Sequence, residues 1–218
     1  MSEHIGEGVK AVLFDHDDTL VDTLGPKGDQ HKHIARAFYG KELTDEQIRE
    51  HWGKPLTTLV GLLYETDDTD LALERLRAVY DEFPKILYPN TLSVLRHMRE
   101  RGKKLGVVTA TGRFNLDADF RQLGIPPELF DYTQTEEDTS YHKPDPRAFE
   151  PAVRWLGGLS ITPNETVYIG DGLQDMEAAL GAGFRFVGVG TGLIPPEEFR
   201  NRGAPAVNDL GELLPPAV

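Results

Sequence analysis

The feature of this chain that most restricts its fold is an alternation of short apolar segments with amphipathic, helix-like segments. The apolar segments are "AVLF", "KLGVVTATG", "FDYTQT", "TVYIGDG" and "FRFVGVGTG", and each ends in polar residues. In the segments between the later ones, apolar residues recur at helical spacing and a glycine stops each run. Strands that alternate with helices pair in parallel, and the helices then cover both faces of the sheet. The pattern therefore predicts an α/β fold with a Rossmann-like parallel-sheet core.

The stretch from about Thr23 to Asn90 departs from this alternation. It contains four successive helical patterns and no convincing strand. Helix-breaking residues mark its two ends: Gly25 and Pro26 at one end, and the prolines from Pro84 onward at the other. We therefore predict an all-helical domain over residues 22–89, inserted into a core domain formed by residues 1–21 and 90–218.

The composition narrows the class of protein. The 218 residues carry a net charge of −13 and no basic patch, which argues against nucleic-acid binding. No apolar run approaches the roughly 18 residues of a membrane span, and the N-terminus lacks the apolar stretch of a secretory signal. The absence of cysteine excludes disulfides and thiolate metal sites. We expect a cytoplasmic enzyme without a nucleic-acid or membrane partner.

Carboxylates follow the first and fourth strands of the predicted core. Asp15 and Asp17 come directly after "AVLF", and Asp171 and Asp175 lie in "GDGLQD". Ligands of a parallel sheet bind outside the carboxyl ends of its strands, so these groups are expected at one edge. Hard oxygen ligands from Asp15 and Asp171 suit Mg²⁺, which would neutralise the cluster and let an anion approach.

The same edge should carry a phosphoryl-transfer site. One carboxylate can attack phosphorus and form an aspartyl-phosphate, and a second, two residues on, can exchange protons with the leaving group and water. The spacing of Asp15 and Asp17 aims both side chains in one direction along a strand. Thr109 after the second strand and Lys143 in "HKPDP" would hold the phosphoryl oxygens.

Four segments carry a resemblance to a known family. "FDHDDTL", "VVTATG", "HKPDP" and "YIGDGLQDMEAALGAG" resemble, in this order, the four motifs of the haloacid dehalogenase superfamily. The inserted helical segment resembles the cap domain of its phosphoglycolate phosphatase and β-phosphoglucomutase-like branch. The resemblance covers nearly the whole chain, and it implies this family's fold, an α/β core with a helical cap.

The resemblance also implies roles for the carboxylates. Asp15 would be the nucleophile and a Mg²⁺ ligand. Asp17 would be the general acid and base, with its backbone carbonyl on the metal. Asp171 would bind the metal, and Asp175 would support it directly or through other groups. Asp18 stands where the family often has glycine, and we interpret it as a turn residue.

Further residues are implied as substrate contacts. Thr109 and Lys143 would bind the phosphoryl group, and the backbone N–H of Ala110 would donate to it. The segment "HWGKPL" resembles the cap loop that faces the active site in the family, so its Lys54 would contact the substrate. A solvated surface position for Lys54 is an equal alternative. The roles of His31 and Arg113 stay open, although a packed or surface position is favoured for His31.

These residues favour a Mg²⁺-dependent phosphatase acting on a small phosphorylated metabolite of the phosphoglycolate or sugar phosphate type. The main alternative is a phosphomutase of the β-phosphoglucomutase type, which shares the motifs. A dehalogenase or a phosphonate hydrolase is weaker because neither needs Asp17, and a signalling receiver is weaker because it has no inserted cap. The oligomeric state, monomer or homodimer, is not decided by the sequence.

Overall fold

The computed structural model describes residues 5–52, 54 and 56–215. The chain divides into two compact units: Met1–Asp22 together with Leu87–Val218, and Thr23–Ile86. We refer to them as the core unit and the helical unit.

The strands of the structure are short and apolar. They are β1 (Ala11–Phe14), β2 (Val21–Asp22), β3 (Ile86–Leu87), β4 (Lys104–Val108), β5 (Tyr132–Gln134), β6 (Thr166–Gly170), β7 (Arg185–Val189) and β8 (Ala206–Val207). Six of them form one sheet in the order β5-β4-β1-β6-β7-β8. Every neighbouring pair in this sheet is parallel, which confirms the predicted fold class. The edge strand β8 was not predicted.

Helices cover both faces of this sheet, as the strand pattern requires. All four residues of β1 are fully buried, and they contribute alternately to two apolar clusters. Val12 and Phe14 belong to one cluster, whereas Ala11 and Leu13 belong to the other. Because successive side chains of a strand point to opposite faces, a strand covered on both sides has to be apolar throughout.

The first four helices of the core unit follow the predicted runs, and the last one was not predicted. They are α5 (Thr91–Glu100), α6 (Arg113–Leu123), α7 (Glu150–Gly158), α8 (Leu173–Gly181) and α9 (Pro196–Asn201) in chain order after the four helices of the helical unit. One of the runs with helical spacing, "PRAFEPAVRWLG", is not a single helix as its spacing predicts. It is divided into a 3₁₀ turn over Pro146–Phe149 and α7. Pro151 at the start of α7 has no N–H to donate, and it is tolerated there because first-turn donors are unpaired in any helix.

The helical unit contains α1 (Leu24–Tyr39), α2 (Asp45–His51), α3 (Leu56–Tyr64) and α4 (Thr69–Ala78). Thr44 precedes α2 and forms a reciprocal capping box with Gln47. Two expectations were wrong in detail. Gly25 and Pro26 lie inside the first turn of α1, where proline is tolerated, and the two-residue strand β3 falls within the stretch that was expected to hold none.

Over the described part of the chain, no helix is both long enough and apolar enough to cross a membrane.

Candidate active site

The strand register brings the predicted site residues to one edge of the sheet. Phe14, the last residue of β1, pairs with Val107 of β4 and with Ile169 of β6. The three strands therefore end at nearly the same level. Asp15 continues this alignment, because its backbone N–H donates to the carbonyl of Ile169 at 2.9 Å.

Three carboxylates form a cluster at this edge. Asp15, Asp171 and Asp175 each offer an oxygen atom, and these atoms lie within 4.8 Å of one another. Asp15 follows β1, Asp171 follows β6 and Asp175 lies in the first turn of α8. A set of hard carboxylate oxygens this close together fits a divalent cation such as Mg²⁺.

Lys143 lies against two of these carboxylates. Its Nζ is 2.6 Å from Oδ1 of Asp175 and 3.2 Å from Oδ1 of Asp15. The lysine side chain is only 11% exposed, and Asp175 is almost completely buried. The ammonium therefore sits between the predicted nucleophile and a predicted metal residue.

The pKa values of the cluster reflect crowded, buried charge. Burial, with repulsion from Asp175 and Asp17, raises the pKa of Asp15 to about 7 despite the attraction of Lys143. Burial and the neighbouring carboxylates also raise the pKa of Asp171 well above its usual range. Burial alone would lower the pKa of Lys143, but attraction to Asp15 and Asp175 outweighs it and raises that pKa. A bound cation would favour the ionised form of these carboxylates and would offset the cost of their buried charge.

Asp175 has two contacts rather than one. Its Oδ2 accepts from the backbone N–H of Gly172 at 2.9 Å and caps α8, while Oδ1 faces Lys143. The geometry therefore allows this carboxylate to cap the helix and to take the metal-site role predicted for it.

The predicted phosphate-binding residues line a common small cavity. Thr109, Ala110 and Lys143 all border a space of about 20 Å³, together with residues that follow β5. Thr109 is buried, and its N–H donates to the carbonyl of Gln134 at 3.0 Å. Ala110 is exposed. The structure thus brings the hydroxyl and the ammonium to the same edge as the carboxylates.

Asp17 lies outside the three-carboxylate cluster and has a partner that was not predicted. Its Oδ2 accepts a hydrogen bond from the hydroxyl of Thr111. The N–H of Thr111 in turn donates to Oγ1 of Thr109 at 3.0 Å. One feature of the sequence could have indicated this contact. The two threonines of "TATG" are two residues apart, as are the paired aspartates.

Two further buried polar residues near the site were also missed. His16, between the paired aspartates, is fully buried, and its Nε2 lies 2.9 Å from Oδ2 of Asp119 on α6. Tyr168 on β6 is fully buried as well, and its hydroxyl lies 3.0 Å from Nζ of Lys143. Nothing in the sequence pattern separates these side chains from ordinary core residues.

The loop after β1 is held by neighbouring loops. Asp18 has a φ of 54°, which is the left-handed conformation expected of a turn residue. Its carbonyl accepts from the Thr191 hydroxyl at 2.6 Å, and the Thr19 hydroxyl lies 3.4 Å from Oδ1 of Asp171. The loop after β7 therefore contributes to the site, although the sequence did not indicate it.

Arg113 and His31, whose roles were open, have structural partners. Arg113 binds the hydroxyl of Thr133 at 2.7 Å and Asp138 at 3.0 Å, so it ties the start of α6 to β5. His31 lies in the helical unit, is buried, and contacts the Tyr64 hydroxyl through Nδ1 at 2.7 Å.

Lys54 also belongs to the helical unit. It is exposed, and its Nζ lies 3.0 Å from Nδ1 of His51. Its neighbour Gly53, part of the loop that the sequence singled out, lies outside the described residues.

Comparison with known proteins identifies the family of the chain. Residues 12–189 match the family described as haloacid dehalogenase-like hydrolase. A putative pyrophosphatase PpaX from Clostridium perfringens is 29% identical over 87% of this chain and 88% of its own length. A glyceraldehyde 3-phosphate phosphatase from Methanopyrus kandleri is 30% identical, over 88% of this chain and 89% of its own.

A solved structure shares the fold. It is described as a putative β-phosphoglucomutase from Thermotoga maritima, superimposes with a TM-score of 0.80 at 24% identity, and covers 94% of this chain and 97% of its own. Fold and site together define an enzyme with a parallel α/β core and a cluster of carboxylates at the carboxyl ends of its strands. The chain belongs to the haloacid dehalogenase-like hydrolases.

Proposed function

We propose that this protein is a Mg²⁺-dependent phosphatase that hydrolyses small phosphorylated compounds through an aspartyl-phosphate on Asp15. The observation that carries the proposal is the position of Lys143, whose Nζ lies 3.2 Å from Asp15 and 2.6 Å from Asp175 beside the three-carboxylate cluster. A metal cation and the Lys143 ammonium, both next to Asp15, would attract a dianionic phosphoryl group. Without these positive charges, an acidic protein would repel it.

The first half of the reaction is transfer to the enzyme. An oxygen of Asp15 attacks phosphorus, and the bond from phosphorus to the leaving oxygen breaks. Asp17 donates a proton to that oxygen, so the product leaves as an alcohol or as a protonated phosphate. Thr109 and Lys143 bind the equatorial phosphoryl oxygens, and the N–H of Ala110 adds a backbone donor.

The second half returns the enzyme to its starting state. Asp17, now ionised, removes a proton from a water molecule, which attacks phosphorus and breaks its bond to Asp15. Inorganic phosphate leaves, and Asp15 is again a free carboxylate. Bound Mg²⁺ would be held by Asp15 and Asp171, with Asp175 beside them, and would offset the charge of the carboxylates and the phosphoryl oxygens.

Two kinds of relative bear on the choice between a phosphatase and a mutase. The two relatives at 29% and 30% identity are named as a putative pyrophosphatase and a phosphatase. The likeness to a putative β-phosphoglucomutase, at 24% identity, concerns the fold. Hydrolysis is therefore the better supported outcome, and inorganic pyrophosphate joins phosphoglycolate and sugar phosphates among the candidate substrates.

The helical unit is proposed as the cap that selects the substrate, with Lys54 as a contact for an anionic group. Lys54 is exposed and close to His51. Replacing Lys54 by alanine should raise KM and leave kcat nearly unchanged, because uniform binding energy is removed. The matched control is Lys41→Ala in the same unit, which removes a surface ion pair with Glu65. Equal kinetics in both variants would remove Lys54 from substrate binding.

The experiment that tests the proposed function is phosphate release from a substrate panel. The panel holds pyrophosphate, phosphoglycolate, glyceraldehyde 3-phosphate, sugar phosphates and β-glucose 1-phosphate, each with Mg²⁺ or with EDTA, and Asp15→Asn is the blank. Metal-dependent release by the wild type alone is expected for at least one compound. Conversion of β-glucose 1-phosphate to an isomer without phosphate release would establish the mutase instead. Release that is equal in Asp15→Asn would overturn the mechanism.

A further inference from the structure

Tyr168 has a hydroxyl group at a position where the core needs only an aromatic ring. The residue lies in β6 and is fully buried. Its ring packs edge-on against Phe149, with ring centroids 4.7 Å apart. A phenylalanine could make the same packing contact. The buried hydroxyl would cost free energy unless it found hydrogen-bond partners, so its partners are informative.

Both partners of this hydroxyl belong to the phosphoryl-binding edge. The hydroxyl donates to the carbonyl of Val108 at 2.8 Å, and it accepts from Nζ of Lys143 at 3.0 Å. Val108 is the last residue of β4 and directly precedes Thr109. One phenol therefore connects the end of β4 to the buried lysine.

The close neighbours of the Lys143 ammonium show why this contact matters. A lysine ammonium has three N–H donors, and Nζ has three close oxygen neighbours: Asp175 at 2.6 Å, Tyr168 at 3.0 Å and Asp15 at 3.2 Å. A phosphoryl oxygen that binds Lys143 competes with these neighbours for the same three donors. The two carboxylates are also the groups expected near the metal. The phenol is the neutral neighbour, fixed by its own bond to Val108.

We propose that Tyr168 is a positioning residue, which holds Nζ of Lys143 toward the phosphoryl site and links it to the strand end that carries Thr109. This inference rests on the proposed function, because it assigns Lys143 to the phosphoryl group. Tyr168 itself touches neither substrate nor metal in this account. Its hydroxyl sets the direction in which the ammonium approaches.

The test compares two tyrosine-to-phenylalanine variants. Tyr168→Phe removes the hydroxyl and keeps the ring. The control is Tyr132→Phe on β5, because the Tyr132 ring also packs on an aromatic side chain, Trp155, at the margin of the core. The hydrogen-bond partner of its hydroxyl is Gln134, to which it donates, rather than Lys143. The readouts are kcat and KM for p-nitrophenyl phosphate with Mg²⁺, the inhibition constant of inorganic phosphate, and the thermal midpoint of each variant.

The loss of a hydrogen bond to a charged group should lower kcat of Tyr168→Phe by roughly tenfold and raise the phosphate inhibition constant severalfold. Tyr132→Phe should stay within about twofold of the wild type in both. A purely structural role predicts a lower thermal midpoint with unchanged kcat and inhibition constant. That result would overturn the proposal.

Failure of the proposed function can be distinguished from failure of this inference. If the wild type is no more active than Asp15→Asn, the phosphatase proposal is at fault, and the positioning role is decided by crystal structures of the wild type and Tyr168→Phe. Displacement of Nζ of Lys143 away from Asp15 in the variant would support the positioning role. An unchanged position of Nζ would overturn it.

Discussion

The hydroxyl of Thr111 donates a hydrogen bond to Asp17, while the N–H of the same residue donates to the hydroxyl of Thr109. Thr111 thus connects the proposed proton-transfer group to the proposed phosphoryl-binding hydroxyl. Asp17 has to face first the leaving oxygen and then a water molecule, so the direction of its carboxylate should matter for both steps.

Replacing Thr111 by valine should therefore lower kcat. The change keeps the shape of the side chain and removes a hydrogen bond to a charged group, which is worth roughly 1.5–3 kcal/mol, or about ten- to a hundredfold in rate. Steady-state kinetics on p-nitrophenyl phosphate would measure the loss. Thr111→Ser keeps the hydroxyl and should recover most of the activity. Equal kcat values in the two variants would show that the hydrogen bond is not used.

Asp15 should make the metal-free protein less stable at neutral and alkaline pH. Burial raises its pKa to about 7 from an ordinary value of 3.8. The folded state therefore binds the proton more tightly than the unfolded state, and the associated stability is present below pH 3.8 and is lost as the pH rises through about 7.

At pH 8 in EDTA, Asp15→Asn should raise the free energy of unfolding by a few kcal/mol, since one pKa unit corresponds to about 1.4 kcal/mol. Urea unfolding would measure the difference, and saturating Mg²⁺ should reduce it by stabilising the wild type. Asp117→Asn, which changes an exposed carboxylate of α6, is the control. A variant no more stable than the wild type at pH 8 would contradict the crowded-charge account.

Gly192 should be required for the position of Asp171. A Cβ atom at Gly192 would lie 1.9 Å from Oδ2 of Asp171, which no real contact permits. Gly192→Ala should displace this carboxylate and weaken Mg²⁺ binding by an order of magnitude or more, as the loss of a well-placed ligand does. Calorimetric titration with Mg²⁺ would test this. Gly157→Ala on α7, where a Cβ meets open space, is the matched control and should bind normally.

His31 should make the stability of the protein fall in mild acid. Burial, with repulsion from Lys27, lowers its pKa to about 4 from 6.5. Between these two pH values the unfolded state binds more protons than the folded state, so the free energy of unfolding decreases as the pH falls.

The decrease attributable to His31 is about 3 kcal/mol between pH 7 and pH 4. Urea unfolding at a series of pH values should show a shallower decrease for His31→Gln than for the wild type. His33→Gln, two residues along the same helix and exposed, should follow the wild type. Parallel curves for all three proteins would show that His31 is not the source.

The sheet was predictable because its central strands are apolar throughout their length and each is followed by polar residues. β1 illustrates this, since its four residues divide between two clusters and Asp15 follows directly. Strands of two residues, such as β8, carry no periodicity and escape the same reasoning. Their position is decided by the neighbours with which they pair.

Side-chain contacts at the strand ends were only partly predictable. The types and order of Asp15, Thr109 and Lys143 indicated their gathering at one edge, which the strand register then requires. The hydrogen bonds of Thr111 and Tyr168 depend on the directions of their side chains. These directions follow from the folded backbone and are not visible in the sequence. In the sequence a threonine in a loop and a tyrosine in a buried strand look like structural residues.

The most direct test of the account is the detection of a phosphoryl group on Asp15. Asp17→Asn should accept the group and fail to release it, so acid quenching with Mg²⁺ and p-nitrophenyl phosphate should yield one acyl-phosphate per chain. Peptide mass spectrometry after borohydride reduction should place it at Asp15, with no signal in the Asp15→Asn, Asp17→Asn double variant. A label at another residue, or an active enzyme that never becomes labelled, would contradict the account.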